Sequence, residues 1–413
     1  MKKIERNIYL NKLVNRRDNG LIKIITGIRR CGKSYLLDPL FVDYLKSTGV
    51  KNDHIIKLEL DKEQNKEYLD SKLLDEYIRS NIKDEDMYYV ILDEIQLVSN
   101  FEYVLNGFLY EKNIDVYVTG SNSKFLSSDI ITEFRGRGDQ IKVYPLSFSE
   151  FLSAYDGDKY EAWNEYITYG GLPLILSKKN DVDKSQYLKE LFEQTYIKDI
   201  IERNGIQRID VLDAIINMLA SAVGSLTNSQ KIFDTFKSNG EKELSINTVN
   251  SYIKNIEDSF IVNKSIRYDI KGKKYINTPQ KYYFADIGLR NARLNFRQQE
   301  ENHLMENIIY NELLIRGYNV DVGVVELREK NSRKQLEVDF VCNLGSKRYY
   351  IQSALNLDTK EKTIQESKSL NNIGDSFKKI IVVKDNIKLW RNEQGIVIMG
   401  IQEFLLNENS LDL

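Results

Sequence analysis

The hydrophobic pattern changes character about a third of the way along the chain. In residues 1–147, short apolar runs rich in β-branched residues alternate with stretches whose apolar positions recur every three or four residues. Leu21–Ile25, His54–Leu60, Met87–Leu92, Asp115–Val118 and Gln140–Val143 read as strands. Met87–Leu92 is nearly continuous in apolar side chains, as a strand buried on both faces of a parallel sheet should be. Residues 8–18, 70–81 and 101–111 read as helices. So does the segment carrying Leu36, Leu37, Leu40, Phe41, Tyr44 and Leu45. Pro39 should kink that segment, because it lacks an N–H and crowds the preceding turn. The alternation predicts an α/β unit built on a parallel sheet.

Beyond residue 147 helices come first. Residues 148–205 read as helices interrupted at Gly170-Gly171-x-Pro173, with Asp210–Val223 and Asn228–Ser238 helical after them. Ser245 should cap a further helix with Ile246, Val249, Ile253 and Ile256 on one face. Its other face carries Asn247, Asn250, Ser251, Lys254 and Asn255. Strand-like segments at Ile261–Tyr268 and Lys281–Phe284 follow, with the basic turn Lys271-Gly-Lys-Lys-Tyr275 between them. Helix–turn–helix plus hairpin is a winged-helix pattern. From residue 300 the predicted order is helix 301–316, strands 321–328, 336–342 and 348–353, helix 359–370, strands 379–383 and 395–399, then a helix. The expected domains are 1–147, 148–205, 206–299 and 300–413.

Composition narrows the chemistry. A chain of 413 residues can hold two or three cores. The net charge of −2 supplies no global basic field, so any nucleic-acid contact must use a local patch. Cys31 and Cys342 are too few for a disulfide framework or a cysteine metal site. His54 and His303 are the only histidines, which disfavours a histidine-rich metal centre. The charged start of the chain lacks the apolar core of a signal peptide, and no apolar run reaches membrane-spanning length. A cytoplasmic protein without membrane association is expected.

One stretch carries specific chemistry. The strand Leu21–Ile25 ends at Thr26, and Gly27-x-x-x-x-Gly32-Lys33-Ser34 follows, opening a helix. This is a P-loop in its required strand–loop–helix setting. Gly27, Ile28, Arg29, Arg30, Cys31, Gly32, Lys33, Ser34 and Tyr35 form a candidate phosphate cradle for ATP. The glycines allow a tight turn that aims several N–H groups at phosphate oxygens. Lys33 should reach the β- and γ-phosphates, and the Ser34 hydroxyl should ligate Mg²⁺. Four apolar residues ending in Asp93-Glu94 form a Walker B: Asp93 is a second candidate Mg²⁺ ligand, and Glu94 orients the attacking water. At the tip of the next strand, Asn122 is placed to sit beside the γ-phosphate, the other reading being an Asn/Ser turn. Cys31 reads as a small filler, or as a thiol open to oxidation if exposed.

GIRRCGKS, YYVILDEIQ, VTGSNS, RGR and PLSFSEF resemble the AAA-type ATPases of bacteria and archaea that carry a C-terminal domain of unknown function. The resemblance continues through YGGLP (169–173), YIKDI (196–200), YFADIGL (283–289) and EVDF (337–340), so it covers nearly the whole chain. It implies nucleotide chemistry at Lys33, Ser34, Asp93 and Glu94, a sensor-1 position at Asn122, and a helical lid over 148–205. It also implies an arginine finger at Arg137, with Arg135 as the alternative, and hence a possible homo-oligomer. It agrees with a winged-helix module, whose partner is either double-stranded DNA or a protein.

The last unit resembles the restriction-endonuclease-like core. There Asp339 takes the aspartate position and Glu306 the helix acid. The E-x-K strand reads Gln352-Ser353-Ala354, which lacks both the second carboxylate and the ammonium. Glu306 stands on a helix, and whether it reaches Asp339 is left open by the sequence. Lys347, Glu337 and Lys360 are the candidate substitutes, and an inactive nuclease-like domain is expected.

Overall fold

The computed structural model describes residues 2–120, 136–241, 243–298, 300–329 and 332–413. The chain divides into two compact units, residues 2–145 with 258–260, and residues 146–257 with 261–413.

The first unit is a five-stranded parallel sheet with helices. Its strands are β1 (Ile22–Thr26), β2 (Ile55–Glu59), β3 (Tyr88–Asp93), β4 (Ile114–Gly120) and β5 (Gly138–Lys142), in the order β2-β3-β4-β1-β5. All five expected strands are present, and every neighbouring pair is parallel. The helices are α1 (Asn7–Val14), α2 (Lys33–Tyr35), α3 (Val42–Ser47), α4 (Ser71–Asn81) and α5 (Phe101–Phe108). Strands β1 and β3 are buried along their whole length, which explains the nearly continuous apolar run of β3. Ile24, Val90, Leu92, Val116 and Val118 pack against Leu74 and Ile78 of α4 and Leu105 and Phe108 of α5. Each such side chain contributes roughly 1.5–3 kcal/mol of burial. Asp38 leaves helical geometry (φ −134°, ψ 113°) between α2 and α3, the kink that Pro39 demands.

Two charges interrupt this core. Lys23 on β1 is fully buried and ion-paired with buried Asp115 on β4. Asp115 also accepts hydrogen bonds from the Tyr117 hydroxyl (2.7 Å) and the Asp18 N–H (3.0 Å). A buried pair persists when its remaining lone pairs are satisfied, as here.

The second unit opens with helices α6 (Phe148–Ala154), α7 (Lys159–Tyr169), α8 (Asp181–Leu191), α9 (Lys198–Asn204), α10 (Ile209–Ser221), α11 (Ser229–Ser238) and α12 (Ile246–Asp258). Ser245 caps α12 by accepting the Thr248 N–H at 3.1 Å. Asn247, Asn250, Ser251 and Lys254 are exposed on it, as its pattern required. Then come β6 (Val262–Asp269), β7 (Lys274–Phe284), α13 (Ile287–Arg293), α14 (Glu301–Ile315), β8 (Asn319–Glu329), β9 (Ser332–Leu344) and β10 (Lys347–Ala354). The chain closes with α15 (Lys360–Asn371), β11 (Lys378–Val383), β12 (Trp390–Arg391), β13 (Val397–Gly400) and α16 (Ile401–Leu406).

The expected hairpin forms, but it is not a separate wing. Strand β6 pairs antiparallel with β7 and parallel with β8, through Arg267↔Val322, Tyr268↔Gly323 and Asp269↔Val324. One eight-stranded sheet results, ordered β12-β13-β11-β10-β9-β8-β6-β7. The β6–β7 hairpin therefore shares a sheet with strands that follow residue 300. Pairing between strands some 50 residues apart leaves no local signature.

Two motifs of the family resemblance meet in this unit. The Asp286 carboxylate accepts the N–H groups of Gly171 (2.7 Å) and Leu289 (3.0 Å), fastening the loop after α7 to the start of α13. Asn291 donates to the carbonyls of Ile167 and Thr168, both at 3.0 Å. A Cβ on Gly288 would lie 2.0 Å from the Tyr169 carbonyl oxygen, so the contact requires glycine. Burial raises Asp286 to about 6, while its N–H partners favour the ionised form. A carboxyl raised on folding gives stability that is full below its unfolded value and is lost as pH rises through the folded value. Wild-type protein should therefore gain stability relative to Asp286→Asn as pH falls from about 7 towards 4, by at most roughly 3 kcal/mol. Parallel pH profiles of denaturant midpoints for the two proteins would contradict this.

Candidate functional site

Every strand of the first sheet ends on the same edge, and the candidate residues collect there. The loop after β1 curls tightly. Gly27 has φ +145°, and a Cβ on it would sit 2.1 Å from the Val143 carbonyl oxygen. Gly32 has φ 97° and Arg30 φ 64°. Lys33 is buried, and its ammonium donates to the Gly27 and Ile28 carbonyls, both at 3.1 Å. Ser34 and Tyr35 are exposed beside it, Arg29 is half-buried, and Arg30 is exposed. Cys31 is a free, buried thiol whose Sγ lies 3.5 Å from the Val143 carbonyl oxygen, so it is the filler and not the exposed thiol.

Sequence reasoning missed Arg6, which supports this loop. Arg6 is almost wholly buried and donates to the carbonyls of Cys31 (2.9 Å) and Tyr144 (2.7 Å). It thereby ties the phosphate loop to the segment after β5. Nothing near Arg6 in sequence marks this, since its partners lie 25 and 138 residues away.

The acid pair is held from β4. Thr119 donates its hydroxyl proton to Asp93 and accepts the Glu94 N–H at 2.9 Å. Glu94 is in the left-handed region (φ 55°, ψ 45°), which turns its side chain out of the strand's alternation. Its carboxylate accepts a hydrogen bond from the Gln96 amide. Burial raises Asp93, opposed by hydrogen bonds from Thr119 and Ser34. A hydroxyl and a carboxylate in mutual contact are a hard-oxygen donor set, which suits Mg²⁺. Strand β4 lies between β1 and β3, so Thr119 is the described tip residue that joins the acids. The expected Asn122 and the alternative Arg135 lie outside the described residues.

Arg137 is elsewhere. It is exposed, stands just before β5, and its carbonyl accepts the Ile22 N–H at 3.0 Å. That is the start of β1, whereas the loop follows the end of β1. At about 3.3 Å per residue the two are separated by roughly 13 Å or more. The guanidinium lies over the Tyr110 ring, 5.7 Å from its centre.

A second cluster lies in the second unit. Lys281 on β7 is buried, with its ammonium 2.8 Å from Glu306, 2.7 Å from Glu337 and 3.5 Å from Asp339. The Tyr283 hydroxyl donates to Glu306 at 2.6 Å, and the Ser353 N–H donates to Asp339 at 2.9 Å. Helix α14 packs over the sheet and brings Glu306 and Asp339 to one ammonium, which answers the question of reach that the sequence left open. Of the candidate substitutes, Glu337 joins the cluster. Lys347 pairs with Asp412 at 2.8 Å instead, and Lys360 is exposed. Ala354 is buried and offers no polar atom. Burial and then Glu306 raise Asp339, and the acids hold Lys281 protonated.

A parallel sheet with this strand order, a phosphate loop after β1 and an acid pair after β3 define a P-loop ATPase fold of the AAA type. Residues 19–152 match the family model described as an AAA domain. Residues 160–300 and 301–404 match two domains of unknown function (DUF8612 and DUF4143). An uncharacterized protein of Haemophilus influenzae is 32% identical over 409 residues, 98% of each chain. One of Methanocaldococcus jannaschii is 26% identical, covering 88% of this chain and 80% of its own. The Walker-type ATPase of Pyrococcus abyssi superposes with a TM-score of 0.50 at 16% identity, over 71% of this chain and 96% of that one. The chain belongs to one family with the Haemophilus protein, and its residues 19–152 carry the AAA domain. Among the described residues, no helix is long and apolar enough to cross a membrane.

Replacing Arg6 by Met should leave the fold standing but free the Cys31 carbonyl. Nucleotide affinity should fall several-fold, about 1 kcal/mol, when measured by calorimetry. Unchanged affinity in a folded variant would remove Arg6 from the loop's support.

Proposed function

We propose that the protein binds ATP at the loop Gly27–Tyr35 and hydrolyses it with Mg²⁺, coupling nucleotide state to recognition by its C-terminal unit. The observation that carries this reading is the gathering of Lys33, Ser34, Asp93 and Glu94 at one edge of the sheet. Loop N–H groups and Lys33 would hold the phosphates, with Lys33 exchanging its two carbonyl partners for phosphate oxygens. Ser34 and Asp93 would hold Mg²⁺, which neutralises charge developing on the phosphates. Glu94 would orient the attacking water, with Gln96 fixing its carboxylate. Arg137 lies too far from the loop of its own chain, which favours a finger reaching a neighbouring copy. Such a role would make the active form a homo-oligomer.

Lys33→Ala should weaken ATP binding at least tenfold, while Glu94→Gln should keep binding and slow turnover about 10²–10⁴-fold. Equal ATP affinity for Lys33→Ala and wild type would exclude the loop as the phosphate site. Full turnover in Glu94→Gln would remove the water-orienting role.

The favoured partner is double-stranded DNA, met by a winged-helix-like module. The exposed polar face of α12 and the exposed Lys271, Lys273 and Lys274 at the hairpin tip support this. The pairing of β6 with β8 favours a second reading, a nucleotide-gated switch with a protein partner, because the hairpin is built into a sheet. Changing the three lysines to Ala should weaken DNA binding across all sequences and flatten its salt dependence by up to about three in log–log slope. Binding and slope that stay as in wild type would move the contact elsewhere, and no binding at low salt would leave the protein-partner reading.

A further inference from the structure

We propose that the Lys281 ammonium is the resident cation of the Glu306–Glu337–Asp339 cluster, standing where a divalent metal would stand, and that its removal uncovers a metal site. Three carboxylates from two elements, α14 and β9, each place one oxygen around a single point. Lys281 occupies that point from a third element, β7. An ammonium has three protons, and here it meets three carboxylate oxygens. Lys281 is 2% exposed, so no bulk water shares its charge.

Two of the acids, Glu306 and Asp339, cannot easily turn elsewhere. The oxygen of Glu306 that faces Lys281 also accepts the Tyr283 hydroxyl. The second oxygen of Asp339 accepts the Ser353 N–H. The second oxygen of Glu306 lies 4.0 Å from His303 Nδ1. Without Lys281 the site would hold two buried carboxylates, Glu306 and Asp339, beside the half-buried Glu337, an arrangement that favours another cation or added protons. Hard-oxygen donors converging in this way suit Mn²⁺ or Ca²⁺. The inference is independent of the nucleotide reading, since it concerns a different unit and needs no turnover. It accounts for the expected absence of nuclease activity by charge compensation as well as by the missing E-x-K pair.

The test uses the full-length, nucleotide-free protein and Mn²⁺ as the probe, with free Mn²⁺ followed by electron paramagnetic resonance and stability by thermal melting. Wild type should show no Mn²⁺ binding that Asp339→Asn abolishes. Lys281→Met should melt earlier, bind one additional Mn²⁺ at least tenfold more tightly than wild type, and regain melting temperature on binding. The double variant Lys281→Met/Asp339→Asn should lose that Mn²⁺. If Lys281→Met does not fold, the double variant should fold better, because it carries one acid fewer. Asp339-dependent Mn²⁺ binding by wild type would overturn the proposal. So would a folded Lys281→Met that binds no more Mn²⁺ than wild type, or a double variant no more stable than an unfolding single one.

Discussion

Parallel strands point their C-terminal ends to one edge, and the arrangement of the first unit depends on that constraint. Because β1, β3 and β4 run the same way, the phosphate loop, the acid pair and Thr119 emerge together. The order β3-β4-β1 then sets their spacing, with Thr119 reaching sideways to both Asp93 and Glu94. Arg137 precedes β5 and is carried by the same geometry to the opposite end. A side chain there can serve a phosphate only across a contact with another copy.

Support for the loop comes from buried polar groups that are fully engaged. Arg6 donates to the Cys31 and Tyr144 carbonyls, and the Lys23–Asp115 pair anchors β1 to β4 towards the strand end away from the loop. A buried charge without partners would cost several kcal/mol, so such groups tolerate few alternative arrangements. That intolerance keeps the loop curled with Gly27 against Val143.

The second unit uses the same device for a different end. Asp286 gathers backbone N–H groups and locks the Gly170-Gly171 loop to α13. Lys281 gathers carboxylates and joins the hairpin to α14 and β9. The motifs YGGLP and YFADIGL thus meet at a packing joint. The EVDF motif, by contrast, delivers Glu337 and Asp339 to a charged cluster.

The sequence by itself determined the local elements and the P-loop. Periodicity marked the five strands of the first sheet, and glycine spacing before Lys33-Ser34 marked the loop, because both are set by neighbours within a few residues. Ser245 announced its cap for the same reason. Only the tertiary structure decided what depends on distant pairing. It placed β4 between β1 and β3, which made Thr119 the residue joining the acids. It built β6 and β7 into the C-terminal sheet, which removed the free wing. It brought Arg6 to a loop 25 residues away and Lys281 to acids 25 to 58 residues away. A lone Arg or Lys in a chain carrying 59 basic residues has no local mark to distinguish it. Burial and the convergence of carbonyl or carboxylate oxygens on its charge give it a role, and both exist only once the chain has folded.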